Sequence, residues 1–179
     1  RWPFEDAEIT LYTPSVQPHG PAVLLLHGWG GHARQMLPLA DALTDRGLRP
    51  VLVDLPAHGG SRGRVSNPPQ FARAIEYATA RLHVQDSAPH AVVAHSLAAN
   101  AAAHAASRGL ATQRLVLLAP PASPHEYTRL FAQVFGLSER TRAALQRRIG
   151  AQRGRRLGPA VGGGSLPGGK EAEVAGGLC

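Results

Sequence analysis

The stretch Val92-Val93-Ala94-His95-Ser96-Leu97-Ala98-Ala99-Asn100 sets a serine between a β-branched run and a series of alanines. A hydroxyl at such a junction has two uses. It can N-cap the following helix through its side-chain oxygen, or it can stand at the apex of a strand-to-helix turn as a nucleophile. A sharp turn of the second kind admits only small side chains two positions either side, because strand and helix almost touch there. Ala94 and Ala98 occupy those positions. Ala-His-Ser-Leu-Ala is therefore an alanine form of the G-x-S-x-G elbow, and taken alone it leaves both uses open. A second stretch favours the nucleophile. His27-Gly28-Trp29-Gly30 directly follows the apolar run Leu24-Leu25-Leu26, and glycines there free the backbone to aim an N–H at a developing oxyanion. Each preset donor of that kind stabilises the charge by about 3–4 kcal/mol. The candidate site is Ser96 as catalytic group, with the backbone N–H groups of Trp29 and Leu97 as its oxyanion hole.

These residues need elements to hold them. Ala7 to Tyr12 alternates apolar with polar residues, the period of an outer strand with one buried face. Residues 22–28, 50–56, 91–96 and 115–121 are short continuous apolar runs, as expected of central parallel strands covered on both faces. Helical patterns alternate with them: Met36, Leu37, Ala40 and Leu43 before Gly47; Phe71, Ile75, Ala78 and Leu82 behind Asn67-Pro68; and the alanine run from Leu97 to Gly109. Strict alternation of strand and helix gives right-handed parallel crossovers, hence a three-layer α/β/α domain with a mostly parallel sheet. Ligands bind at the carboxyl ends of such strands, where Ser96 and the glycine loop both fall. After the last strand, Ser123-Pro124-His125-Glu126 has the form of a capping box, with Leu130, Phe131, Val134 and Phe135 as one apolar face and Gly136 as its end. Ser138 can cap a second helix through Ile149.

The chain of 179 residues, 44% apolar and 17% charged, has the size of one globular domain. Its net charge of +7 is uneven: residues 1–125 hold ten arginines against eight acids, and residues 126–179 hold nine basic residues against four acids. No aromatic residue follows Phe135, so the basic residues beyond it have no aromatic interleaving, and a solvated helix face or tail is expected rather than a nucleic-acid site. Cys179 is the only cysteine and the nine histidines include no H-E-x-x-H pair, so neither an internal disulfide nor a metal site is indicated and no cofactor is expected. No apolar run reaches the length of a membrane span, and a cytoplasmic location is the expectation. Ten of the last 30 residues are glycine, which is as many as in the first 149. Residues 150–179 are therefore expected to form a disordered tail, with 1–149 as the core and 122–149 as the start of a helical cap.

Taken together, the HGWG loop, Asp54-Leu-Pro-Ala-His-Gly-Gly-Ser61 after the next strand, the AHSLA elbow and the helices after Leu117-Leu-Ala-Pro-Pro121 resemble the α/β-hydrolase superfamily over about Ile9 to Ile149. The resemblance implies a serine hydrolase, with a small-molecule ester or acyl compound as substrate. It assigns Ser96 as nucleophile and the Trp29 and Leu97 amides as oxyanion hole. His27, His95, Asp54 and His58 are expected to hold their own turns. The family places its acid and then its histidine on two further strands after the cap. Neither strand is legible here, and no histidine follows His125 in these 179 residues. The expectation is thus a hydrolase fold whose C-terminal strands are missing, leaving residues 115–121 as an open sheet edge and turnover impaired. One alternative is a hydrolase-like protein that binds without turnover. Another is a Rossmann-type NAD(P)-binding domain, because Gly28-Trp-Gly-Gly-His-Ala33 fits G-x-G-x-x-G/A and Asp54 ends the next strand.

Overall fold

The computed structural model describes residues 1–15, 18–64, 66–85, 88–122, 128–129, 132–133, 136–153 and 171–175. They belong to two units, Arg1–Pro120 with Val161–Cys179, and Pro121–Ala160. The first is built on a seven-stranded sheet. Its strands are β1 (Trp2–Phe4), β2 (Ala7–Tyr12), β3 (Ala22–Leu26), β4 (Arg49–Asp54), β5 (Ala91–His95), β6 (Arg114–Leu118) and β7 (Glu171–Ala175), in the order β1-β2-β4-β3-β5-β6-β7. β1 and β2 run antiparallel and the other pairs from β4 to β7 are parallel, with Leu24 in register with both Val51 and Val92. The four continuous apolar runs are the central strands β4, β3, β5 and β6. The alternating segment is β2, next to the edge rather than at it, because Trp2–Phe4 adds a further short strand.

Alternation along these strands divides the core in two. Val23, Leu25, Leu52, Ala91 and Val93 pack with Ala33, Met36 and Ala40, which belong to the 3-10 turn Ala33–Met36 and to helix α1 (Leu37–Thr44). Helices α2 (Pro68–Gln85) and α3 (Leu97–Ser107) pack against each other, and α3 packs against β5 and β6. Asn67 Oδ1 accepts the Gln70 N–H at 2.9 Å, so Asn67-Pro68 is the cap and first turn that the sequence implies. Helix α3 has Ala98, Ala99, Ala102 and Ala105 fully buried. Small side chains let it lie close on β5 and β6, which sharpens the turn at Ser96.

In the second unit, residues 128–129 and 132–133 are helical. The helical residues at 132–133 are closed by Gly136 N–H to Gln133 C=O (3.3 Å) and Leu137 N–H to Ala132 C=O (2.8 Å), a Schellman arrangement. Helix α4 (Glu139–Arg153) follows, with Ser138 Oγ accepting the Thr141 N–H at 3.3 Å. Ser138 is thus the expected cap. The capping box at 123–126, His125 within it, and the apolar positions Leu130, Phe131, Val134 and Phe135 lie outside the described residues.

Two expectations for the C-terminal segment are corrected. Helix α4 continues past Gly150 to Arg153, and β7 pairs in parallel with the whole of β6, Arg114 opposite Glu171 and Leu118 opposite Ala175. β6 is therefore not an open edge. The period of two was present in Glu171-Ala-Glu-Val-Ala175, but over five residues with a single β-branched side chain it does not stand out from its glycine-rich surroundings. The unpaired N–H and C=O groups of β6 supply what the segment's own propensity lacks. A chain stopped after Arg153 should lose on the order of 2 kcal/mol through those hydrogen bonds and should self-associate along β6. Urea unfolding and light scattering of the shortened protein check this, and an unchanged, monomeric protein would show that β7 contributes nothing.

Candidate active site

Ser96 follows the last residue of β5 and precedes the first of α3, at φ 54° and ψ −124°. A residue with a Cβ keeps such a conformation only where the surrounding structure over-determines it, at a cost on the order of 1–3 kcal/mol. Its N–H is tied to Leu118 C=O of the neighbouring strand at 2.8 Å. The Ser96 side chain makes no capping hydrogen bond to α3. The capping use therefore falls away, and the partly exposed hydroxyl stands at the carboxyl end of the sheet. Leu97 opens α3, so its N–H lies in the first turn, where no carbonyl of the preceding turn can take it.

The glycine loop comes to the same place. A Cβ built on Gly28 would lie 3.0 Å from Ser96 Cβ and 3.1 Å from His95 Nδ1, an approach that a larger residue would obstruct. Gly31 N–H donates to Gly28 C=O at 3.1 Å and Gly30 has φ +75°, so Gly28–Gly31 is a type II turn whose third position requires a positive φ. Gly28 C=O also meets His27 Nδ1 at 2.7 Å, while His27 Nε2 accepts the Leu55 N–H at 3.0 Å. A backbone N–H can only donate, so Nε2 carries a lone pair and Nδ1 carries the proton that goes to Gly28 C=O. Two donors thus fix one side of the Gly28–Trp29 peptide plane. The Trp29 N–H, trans across that plane, is fixed by the same bonds.

His27 is fully buried, and burial pushes its imidazole down to about 4 despite the favourable bond to Gly28 C=O. It is neutral at physiological pH, so its 3.9 Å approach to Asp54 is not an ion pair. The unfolded chain takes up a proton near the ordinary value of about 6.5, the fold only near 4. Stability is therefore full above that window and is lost as pH falls through it, by about 3 kcal/mol when complete. Urea midpoints at pH 7 and 4.5 should differ far more for the wild type than for His27→Gln. Equal pH dependence of the two would remove His27 as the cause.

Asp54 ends β4 and is 2% exposed. Its Oδ1 accepts the Ala33 N–H at 2.6 Å, and its Oδ2 accepts Tyr12 Oη–H at 2.8 Å and the Gly60 N–H at 2.7 Å. The neighbouring carboxylate in turn raises the Tyr12 phenol above its ordinary value, chiefly through that bond. Ser61 Oγ donates to Asp54 C=O and accepts the Thr10 N–H at 2.8 Å, and Thr10 Oγ1 donates to Gly60 C=O at 2.8 Å. Asp54 thus ties its own loop, as expected. Asp54 is 2% exposed and already accepts three hydrogen bonds from within the chain, and the G-x-G-x-x-A stretch enters a 3-10 turn rather than a long helix, which speaks against a dinucleotide site. His58 accepts the Gly30 N–H at Nε2 (2.8 Å) and approaches Pro56 C=O with Nδ1 (2.9 Å). The sequence alone gives His58 to its own loop and misses this bond to the glycine loop; nothing in the spacing of the two motifs announces it.

A cleft of about 590 Å³ lined by Tyr12, Ala33, Leu37, Leu52 and Asp54 lies beside this loop and does not include Ser96. Among the described residues no group of three or more His, Cys, Asp or Glu is placed to hold a metal, and no helix is long and apolar enough to cross a membrane.

The family described as serine aminopeptidase, S33 matches residues 17–157. Pimeloyl-[acyl-carrier protein] methyl ester esterases of Xanthomonas oryzae pv. oryzae and Xanthomonas axonopodis pv. citri are 50% identical over 44 residues, 25% of this chain and 17% of theirs. Among solved structures, the esterase Pf2001 of Pyrococcus furiosus superposes with a TM-score of 0.63 at 16% identity, covering 80% of this chain and 59% of that one. Est1E of Butyrivibrio proteoclasticus, solved with ferulic acid, gives 0.59 at 20% identity over 69% of this chain and 53% of that one. The likeness to these structures is one of fold, and it spans little more than half the length of either. With the elbow, the glycine turn and the strand order in place, the match over residues 17–157 shows that the chain belongs to the serine aminopeptidase S33 family of α/β-hydrolases.

Proposed function

We propose that this chain carries the nucleophile and oxyanion hole of a serine hydrolase acting on carboxylic esters. The observation that carries the reading is Ser96 itself: a strained backbone at the strand end, held beside the Gly28 turn, with a hydroxyl that does no capping work. Ser96 Oγ adds to the ester carbonyl carbon while its proton passes to a general base. The Trp29 and Leu97 N–H groups stabilise the oxyanion so formed. Collapse expels the alcohol, which takes up a proton, and water releases the acid from Ser96. Neither His27 nor His58 can be the base, because each Nε2 already accepts a backbone N–H. The ester class is supported by the esterases among the relatives, and a methyl ester on a carrier-bound acyl chain is the substrate form named for the curated ones.

The second reading, binding without turnover, is favoured by that same commitment of His27 and His58. A fluorophosphonate probe separates the two. Covalent labelling that peptide mapping places on Ser96 supports the hydrolase; a chain that binds esters but takes no label is a binding protein.

A further inference from the structure

We infer that His58 is a positioning residue for the oxyanion turn, acting through Gly30 in addition to holding its own loop. The inference rests on the hydrolase reading above. Gly30 N–H donates to His58 Nε2 at 2.8 Å, so that nitrogen carries a lone pair and the ring proton sits on Nδ1, which donates to Pro56 C=O at 2.9 Å. One imidazole thereby joins the glycine turn after β3 to the loop after β4. The backbone around His58 is shaped for this: Ala57 and Gly59 on either side have φ of 61° and 52°, and an alanine in that region is uncommon. His58 N–H is held by Leu55 C=O at 3.0 Å, and His58 C=O takes the Ser61 N–H at 2.9 Å. The ring is 8% exposed and packs against His27, Trp29 and Phe71, with centroids 5.3, 6.5 and 5.4 Å away.

The consequence follows from peptide planarity. His27 and the Gly31 N–H hold the plane between Gly28 and Trp29 by its carbonyl. His58 holds the next plane, between Trp29 and Gly30, by its N–H. With both planes of the turn fixed, the two torsions at Trp29 have no slack, and the Trp29 N–H keeps its direction before a substrate arrives. Gly30 itself is exposed and has nothing within 4 Å of where a Cβ would be, so no packing restrains it. Its restraints are the turn-closing bond from Gly31 N–H to Gly28 C=O and its own N–H to His58, and only the second fixes the Trp29–Gly30 plane directly.

Two substitutions separate the acceptor from the ring. His58→Phe keeps the aromatic packing and removes the acceptor; His58→Gln keeps an acceptor and removes the ring. If His58 positions the turn, H58F should lower the maximal rate at which a fluorophosphonate labels Ser96 by about 10- to 100-fold, below the loss of a whole oxyanion donor. The probe's apparent binding constant should hardly move, and H58Q should keep most of the rate. Gly30 amide exchange, followed by NMR, should quicken in H58F and not in H58Q. The reverse order, with H58Q slow and H58F normal, would give His58 a packing role and overturn the inference. Should H58F fail to fold, the wild-type ring decides: nitrogen shifts must show a bare Nε2 and a protonated Nδ1, and the opposite tautomer overturns it. Wild-type protein that takes no label on Ser96 would overturn the hydrolase reading instead, and Gly30 exchange in H58F still judges the clasp by itself.

Discussion

Ser96→Ala is expected to abolish fluorophosphonate labelling and, wherever a histidine base serves Ser96, to lower ester hydrolysis by about 10⁴–10⁶-fold, roughly 5–8 kcal/mol of barrier. The size follows from what is removed. On the proposed reading the nucleophilic oxygen has no substitute, and what remains is binding and the two proposed oxyanion donors, which alone give about 10³–10⁴ over water. A polypeptide of these 179 residues has no histidine beyond His125, so its own turnover is expected to be slow and labelling to be the sharper assay. Stability supplies an independent arm. Were Ser96 a helix cap, alanine would cost about 1 kcal/mol and glycine only a few tenths. With no capping bond and φ at 54°, Ser96→Ala should cost little and Ser96→Gly should raise stability by about 1 kcal/mol, by relieving the backbone. A glycine variant more stable than the wild type, and inert, is the signature of a nucleophile held under strain. Vigorous hydrolysis by Ser96→Ala would remove the hydrolase reading.

The parts of this site that were legible in the sequence are those where one local rule decides. Continuous apolar runs give buried parallel strands, so β3 to β6 and the end of the sheet at which Ser96 stands follow from composition alone. Ala94 and Ala98 mark the elbow because close packing tolerates nothing larger. The parts that were not legible depend on partners far apart in the chain. Tyr12 and Asp54 are 42 positions apart, and Gly30 and His58 are 28 apart; each residue alone would pass as an ordinary strand or turn position. The histidine tautomers are of the same kind, since only the backbone N–H groups of Leu55 and Gly30 reveal which ring nitrogen is bare. Strand β7 escaped for the opposite reason: its order comes from the edge of β6 rather than from its own side chains.

Asp54 is where structural and catalytic accounts make opposite predictions, because an acid that orients a catalytic histidine and an acid that ties loops respond differently to amidation. A catalytic acid replaced by asparagine leaves the fold intact and lowers turnover. Asp54 instead receives two backbone N–H groups, one on each oxygen, and the Tyr12 hydroxyl besides. Asparagine has one oxygen and one NH₂. Whichever way the amide turns, its NH₂ faces the buried N–H of Ala33 or the half-buried N–H of Gly60, a donor against a donor. Alanine leaves both donors without a partner, and each buried unsatisfied donor costs about 1–3 kcal/mol. Asp54→Ala and Asp54→Asn should therefore both cost about 3–5 kcal/mol, and at about 2–4 °C per kcal/mol lower the melting temperature by roughly 6–20 °C. The turn at Gly28–Gly31 leads into Ala33, and Gly59 and Gly60 follow His58, so the same change should loosen both sides of the oxyanion turn and slow Ser96 labelling as well. Ser61→Ala, which removes only a hydroxyl to Asp54 C=O and the acceptor for Thr10, should show the same pattern on a smaller scale. An Asp54→Asn protein that melts like the wild type while Ser96 labelling is lost would reverse the assignment and make Asp54 the catalytic acid.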